Sequence, residues 1–124
     1  MGKQTILVME DHSPVRKLIS LTLQRAGYEV LEGVNGSQGV EIARNHSGSI
    51  DLIFSDIMMP VMGGFEAVTE IIKDRPDVPV IFCTGCVPPQ DLTDNKWRNG
   101  KEVFLQKPVA PKDIVGAVRS FLRT

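Results

Sequence analysis

At 124 residues the chain is long enough to bury a core of its own without disulfide staples. Fourteen basic against fifteen acidic residues leave a formal charge of -1, which gives no electrostatic footprint for direct nucleic-acid or membrane-surface binding. No apolar run approaches the roughly 18 residues of a membrane span, and residues 1–6 lack the basic-then-apolar layout of a leader. The expectation is one cytoplasmic domain over residues 1–124.

In chain order, strand and helix patterns alternate five times. Thr5–Met9 reads as a buried strand. Ser13 reads as an N-cap with Pro14 at the first helical position, and Val15, Leu18, Ile19, Thr22 and Ala26 follow at helical spacing up to Gly27. Residues 29–34 alternate like an edge strand. Residues 35–45 form a weaker helix with Val40 and Ala43 inward, its two glycines lowering helix propensity.

The apolar run 52–55 is of the length expected for a strand buried on both faces. It delivers Asp56, then Pro60, and then Gly63 and Gly64, which are expected to let the backbone turn tightly. Phe65, Val68, Ile71 and Ile72 make the stripe of a third helix. Residues 80–83 are a fourth strand ending at Thr84, and 103–106 a fifth, followed at once by Lys107-Pro108. Between them, 88–100 reads as a short helix carrying Trp97. Pro111 opens the last helix, with Ile114, Val115, Val118, Phe121 and Leu122 toward the core.

Buried parallel strands alternating with helices specify an α/β, doubly wound five-stranded sheet. Ligands of such sheets bind outside the carboxyl ends of the strands. There the fold gathers Glu10-Asp11, Asp56, Thr84 and Lys107. Two unit charges about 5 Å apart at an effective dielectric of about 20 repel by roughly 3 kcal/mol, so three carboxylates need a cation or a proton among them. Oxygen donors without thiolate or imidazole suit Mg²⁺. Three carboxylates, one divalent ion and Lys107 then sum to zero. In that setting Asp56 can act as a nucleophile for phosphoryl transfer, with Lys107 and the Thr84 hydroxyl on the phosphoryl oxygens.

Those residues, in that order, carry a resemblance. Glu10-Asp11, the block from Asp56 through Met58, Met59, Pro60 and Met62 to Gly64, Thr84-Gly85 and Lys107-Pro108 resemble the receiver domains of two-component response regulators, over essentially the whole chain. The resemblance implies a flavodoxin-like fold with strand order 2-1-3-4-5. It implies a phosphorylation-dependent switch rather than a conventional enzyme, with self-catalysed phosphoryl uptake and hydrolysis. Asp56 would accept a phosphoryl group from a phosphohistidine on a histidine kinase or phosphotransfer protein. Asp11, Asp56 and the backbone carbonyl of Met58 would bind Mg²⁺ (Mn²⁺ as a substitute), with Glu10 acting through water. Lys107-Pro108 would be cis. Thr84 and Phe104 would switch a partner surface formed by 88–100, the fifth strand and the last helix, read by a downstream protein or a linked output domain.

Two further signals are weighed against this reading. Cys83-Thr-Gly-Cys86 is formally a redox C-x-x-C, but Cys83 falls inside an apolar strand. His12 lies beside the acids and His46 lies elsewhere; both read as ordinary loop histidines.

Overall fold

The computed structural model describes residues 2–85 and 101–122; the helix expected at 88–100, Trp97 and Cys86 lie outside them. The described elements are β1 (Thr5–Met9), α1 (Ser13–Arg25), β2 (Glu29–Gly33), α2 (Gly36–Asn45), β3 (Leu52–Asp56), α3 (Gly64–Ile71), β4 (Val80–Thr84), β5 (Glu102–Gln106) and a C-terminal helix, α4 (Pro111–Phe121). All strand pairs are parallel and the order is β2-β1-β3-β4-β5, the doubly wound arrangement expected.

Period-two alternation sorts the central strands between two cores. Ile6, Val8, Leu52, Phe54, Ile81 and Cys83 meet Ile19 and Leu23 of α1 and Ile114 and Val118 of α4. Leu7, Met9, Ile53, Val80 and Phe82 meet Val40 and Ala43 of α2 and Ala67, Val68 and Ile71 of α3. This is why β1, β3 and β4 read as unbroken apolar runs: neither face sees water. The fully buried Phe54 alone contributes about 2–3 kcal/mol of burial energy. β2, at the edge, keeps Glu29 and Glu32 exposed.

Three local expectations are corrected. The N-cap of α1 is His12, not Ser13, and its side chain makes no capping bond. Pro14 tolerates either boundary because its missing N–H is not needed in the first turn. Secondly, the buried row of α1 runs through Ile19, Ser20 and Leu23, while Leu18 is 48% exposed. The helix offers two overlapping apolar stripes, and the sheet together with α4 takes the row of Val15, Ile19 and Leu23. Thirdly, the tight turn of the loop after β3 falls on Val61 (φ 71) rather than on Gly63 and Gly64. A bond from Met62 N–H to the Pro60 carbonyl, 2.8 Å, closes a γ-turn around it.

The glycines of α2 have a packing role that outweighs their low propensity. A Cβ on Gly36 would stand 2.5 Å from the Met62 carbonyl oxygen, so only glycine lets α2 approach the loop that leads into α3. Asn35 caps the helix, its Oδ1 accepting the Gln38 N–H at 2.8 Å, while Gln38 Oε1 accepts the Val34 N–H at 2.7 Å.

Past α3, Arg75 ties two helix ends together. Its guanidinium donates to the carbonyls of Ala43 and His46 at 3.0 and 2.9 Å and of Gly48 at 3.0 Å, satisfying the C-terminus of α2. Arg75→Ala is expected to lower stability by about 2–3 kcal/mol through loss of these charge-assisted bonds. Urea unfolding should show a lower midpoint at unchanged slope; an unmoved midpoint would remove the clamp from the account.

Candidate functional site

The strand alternation that sorts the core also decides what the carboxyl edge of the sheet presents. Glu10 continues the row of Ile6 and Val8, Asp56 that of Leu52 and Phe54, and Lys107 that of Leu105. All three therefore extend the face covered by α1 and α4. The Lys107 Nζ donates to Glu10 Oε1 at 2.9 Å and to Asp56 Oδ2 at 3.1 Å. Asp11 completes the group: one oxygen from each of Glu10, Asp11 and Asp56 lies within 4.8 Å of the others.

The members differ in exposure. Glu10 is 1% exposed and Asp56 half-buried, whereas Asp11 is open to solvent. Burial works against the Lys107 ammonium, but hydrogen bonds to Glu10 and Asp56 and their charges outweigh it, and its pKa stands above the ordinary lysine value. The lysine is thus protonated at neutral pH, and the group of four carries a formal -2 from three carboxylates and one ammonium. An all-oxygen donor set with that residual charge fits a hard divalent ion such as Mg²⁺.

Backbone restraints hold these side chains in place. Asp56 Oδ1 accepts the Ile57 N–H at 2.8 Å, and Ile57 N–H also reaches the Cys83 carbonyl at 3.1 Å. The buried Ser55 Oγ donates to the Asp56 carbonyl at 2.7 Å. Gly64, at the start of α3, donates its N–H to the Ile57 carbonyl at 2.8 Å, and a Cβ there would stand 2.9 Å from Ser55 Oγ and overlap the Asp56 carbonyl. On the other side, Glu10 Oε2 accepts the His12 N–H at 3.0 Å. Arg16 of α1 donates to the Glu10 carbonyl at 2.9 Å and to Glu32 Oε1 at 3.2 Å.

Thr84 is brought to the group through its backbone. It is 5% exposed at the end of β4, and its carbonyl accepts the Lys107 N–H at 2.7 Å. By parity its side chain belongs with Phe82, on the α2–α3 face, opposite the carboxylates. Phe104 shares that face, stacked on Phe82 at 5.4 Å between ring centroids and 6.3 Å from Phe65. Met58 is 74% exposed on the loop after β3, and the Lys107-Pro108 peptide is cis. His12 gives the group only its backbone N–H, and His46 lies at the far end of α2.

Cys83 is 2% exposed, and burial pushes its thiol up to about 12. A thiolate at neutral pH is what a redox cysteine needs, so this half of the C-x-x-C does not supply one. Gly64 was singled out only for a turn and for the family block; Ser55 and Arg16 were not singled out from the sequence. Of these two, only Arg16 leaves a signal there, as a basic residue on the first turn of the helix that follows an acidic pair.

With this geometry the chain can be compared with known proteins. The model of the response regulator receiver domain matches residues 6–119. The chain belongs to this family. Among curated relatives it is 33% identical over 121 residues to the sensor kinase CckA of Brucella abortus, covering 98% of this chain and 13% of that protein. It is 31% identical over 128 residues to the phosphate regulon transcriptional regulatory protein PhoB of Pseudomonas aeruginosa, covering 99% of this chain and 53% of that one. The chain thus spans about half or less of the length of these relatives. Among solved structures it superimposes on the chemotaxis protein CheY4 of Vibrio cholerae with TM-score 0.85 at 28% identity, covering 97% and 99% of the two chains. The receiver domain of the hybrid histidine kinase CckA gives TM-score 0.81 at 30% identity, covering 96% and 99%. The receiver is the signalling-switch domain of the two-component response regulator.

Two outcomes follow from the charges. Lys107→Ala leaves the buried Glu10 without its counter-charge and is expected to cost the ion-free protein about 3 kcal/mol. Because the site then carries -3, Mg²⁺ should raise the melting temperature of this variant more than that of the parent; an equal or smaller rise would mean that the ammonium does not balance the carboxylates. In folded Cys86→Ser protein, Cys83 should resist iodoacetamide at neutral pH and react on unfolding. Rapid labelling of the native chain would contradict its burial.

Proposed function

We propose that residues 1–124 form a phosphoacceptor receiver of a two-component phosphorelay, with Asp56 as the acceptor. The observation that carries the reading is the Lys107 bridge to Glu10 and Asp56 inside a cluster that also holds Asp11. A carboxylate at a strand end, held beside an ammonium, has the two groups that phosphoryl transfer to a side chain needs.

In the proposed reaction a phosphohistidine on a histidine kinase or phosphotransfer protein meets Asp56. An Asp56 carboxylate oxygen forms the new O–P bond as the P–N bond breaks, and the electron pair stays with the imidazole. The Lys107 ammonium has three N–H donors; Glu10 and Asp56 take two, and the third is available to a phosphoryl oxygen. The Thr84 hydroxyl donates to another. Asp11, Asp56 and the Met58 carbonyl would hold Mg²⁺ or Mn²⁺, with Glu10 acting through water, and the ion supplies positive charge to the phosphoryl oxygens. The same groups, with water as the acceptor, account for self-catalysed dephosphorylation.

Phosphorylation adds charge and acceptor oxygens at Asp56, and a neighbouring element with two arrangements can read them out. Thr84 and Phe104 are proposed as that element. Both lie on the α2–α3 parity of their strands, and Phe104 is half-buried against Phe82 rather than locked in the centre of the sheet. The surface that changes would be 88–100, β5 and α4, facing a downstream protein or a covalently linked output domain. We propose a cytoplasmic setting, without direct contact to nucleic acid or membrane; no described helix is long and apolar enough to cross one.

Acetyl phosphate with Mg²⁺ is expected to add one phosphoryl mass to the peptide containing residue 56. Asp56→Asn and chelation of the metal should each abolish it. A wild-type chain that stays unmodified under these conditions, yet still binds a kinase, would make this a docking module instead.

A further inference from the structure

We infer that Arg16 is a positioning residue of the metal site, holding the turn that carries Asp11 and thereby setting the affinity for Mg²⁺. This rests on the proposed metal-binding reading. Asp56 and Glu10 are each fixed by hydrogen bonds to their own carboxylates. Asp11, the exposed member, has no such bond among the described residues, so its direction is set by its backbone.

That backbone is held at the peptide joining residues 10 and 11. The carbonyl of Glu10 accepts the Arg16 guanidinium at 2.9 Å, the one described side chain that bonds the main chain of this turn from the helix. Arg16 is itself fixed from behind: its Nε donates to Glu32 Oε1 at 3.2 Å, and its side chain is only 16% exposed. Glu32 stands on β2 in register with Val8 of β1, two residues before Glu10. The guanidinium therefore spans the edge strand, the acidic turn and the first turn of α1 with its rigid fork of donors. Groups that orient a metal ligand from outside its coordination sphere typically govern affinity by tenfold or more.

The sign of the effect separates positioning from simple charge. Arg16 is a cation beside a site that takes a cation, so by its field alone its removal would tighten Mg²⁺ binding. Release of the Asp11 turn would weaken it. Isothermal titration of Mg²⁺ into the full chain should give a dissociation constant about tenfold higher for Arg16→Ala than for wild type. The gap in melting temperature between the two proteins should be wider with saturating Mg²⁺ than without the ion. Equal or tighter binding by the variant overturns the inference and leaves the phosphoacceptor reading intact. No Mg²⁺ binding by wild type would overturn both. Should Arg16→Ala not fold, Arg16→Gln, which keeps most of the stem but neither charge nor fork, decides by the same comparison.

Discussion

One ammonium set against three carboxylates is the constraint that the rest of this structure serves. Lys107 and Glu10 follow β5 and β1, which are not neighbours: β3 and β4 lie between them. At about 4.8 Å per strand the two backbones are roughly 14 Å apart, so only long side chains can meet across the gap. A lysine and a glutamate do so at 2.9 Å. Asp56, on β3, receives the same ammonium from the side. A shorter acid at position 10 would lose a methylene of reach toward Lys107, which gives the choice of Glu over Asp there a geometric reason.

The carboxylates divide their work by exposure. Glu10 is buried and committed to Lys107, so it acts as an anchor whose charge is already answered. Asp11 is open to solvent and Asp56 half-buried, so the unanswered charge sits where an ion or a phosphoryl group can arrive. A site built this way carries a formal -2 that one divalent ion would balance.

Much of the fold was legible because β1, β3 and β4 are covered on both faces and therefore spell continuous apolar runs, each ended by a polar residue. The four charged members of the site were legible because parallel topology brings every strand's carboxyl end to one edge. What was not legible works through the backbone. Ser55 and Arg16 act on the carbonyls of Asp56 and Glu10, and such bonds depend on dihedrals and packing rather than on residue type. The stripe of α1 was misjudged for a related reason: Leu18 and Ile19 are equally apolar, and only the position of α4 decides which is buried. In the loop after β3, Gly63 and Gly64 suggest a tight turn, yet the turn falls on Val61 and Gly64 serves close packing instead.

Strand parity also separates charge handling from the proposed readout. Glu10, Asp56 and Lys107 extend the rows that face α1 and α4, while Thr84 and Phe104 extend those that face α2 and α3. Beside the site the Lys107 N–H meets the Thr84 carbonyl at 2.7 Å. A Thr84 side chain drawn toward a phosphoryl group would have to leave the Phe82–Phe104 side of the sheet and cross to the carboxylate side. Its backbone cannot follow freely, because Lys107 is held at its other end by Glu10 and Asp56. The motion would then fall on the Thr84 hydroxyl and on the half-buried Phe104 ring, which stacks on Phe82. In that arrangement the rigid anchor on one face is what directs the proposed switch to the other.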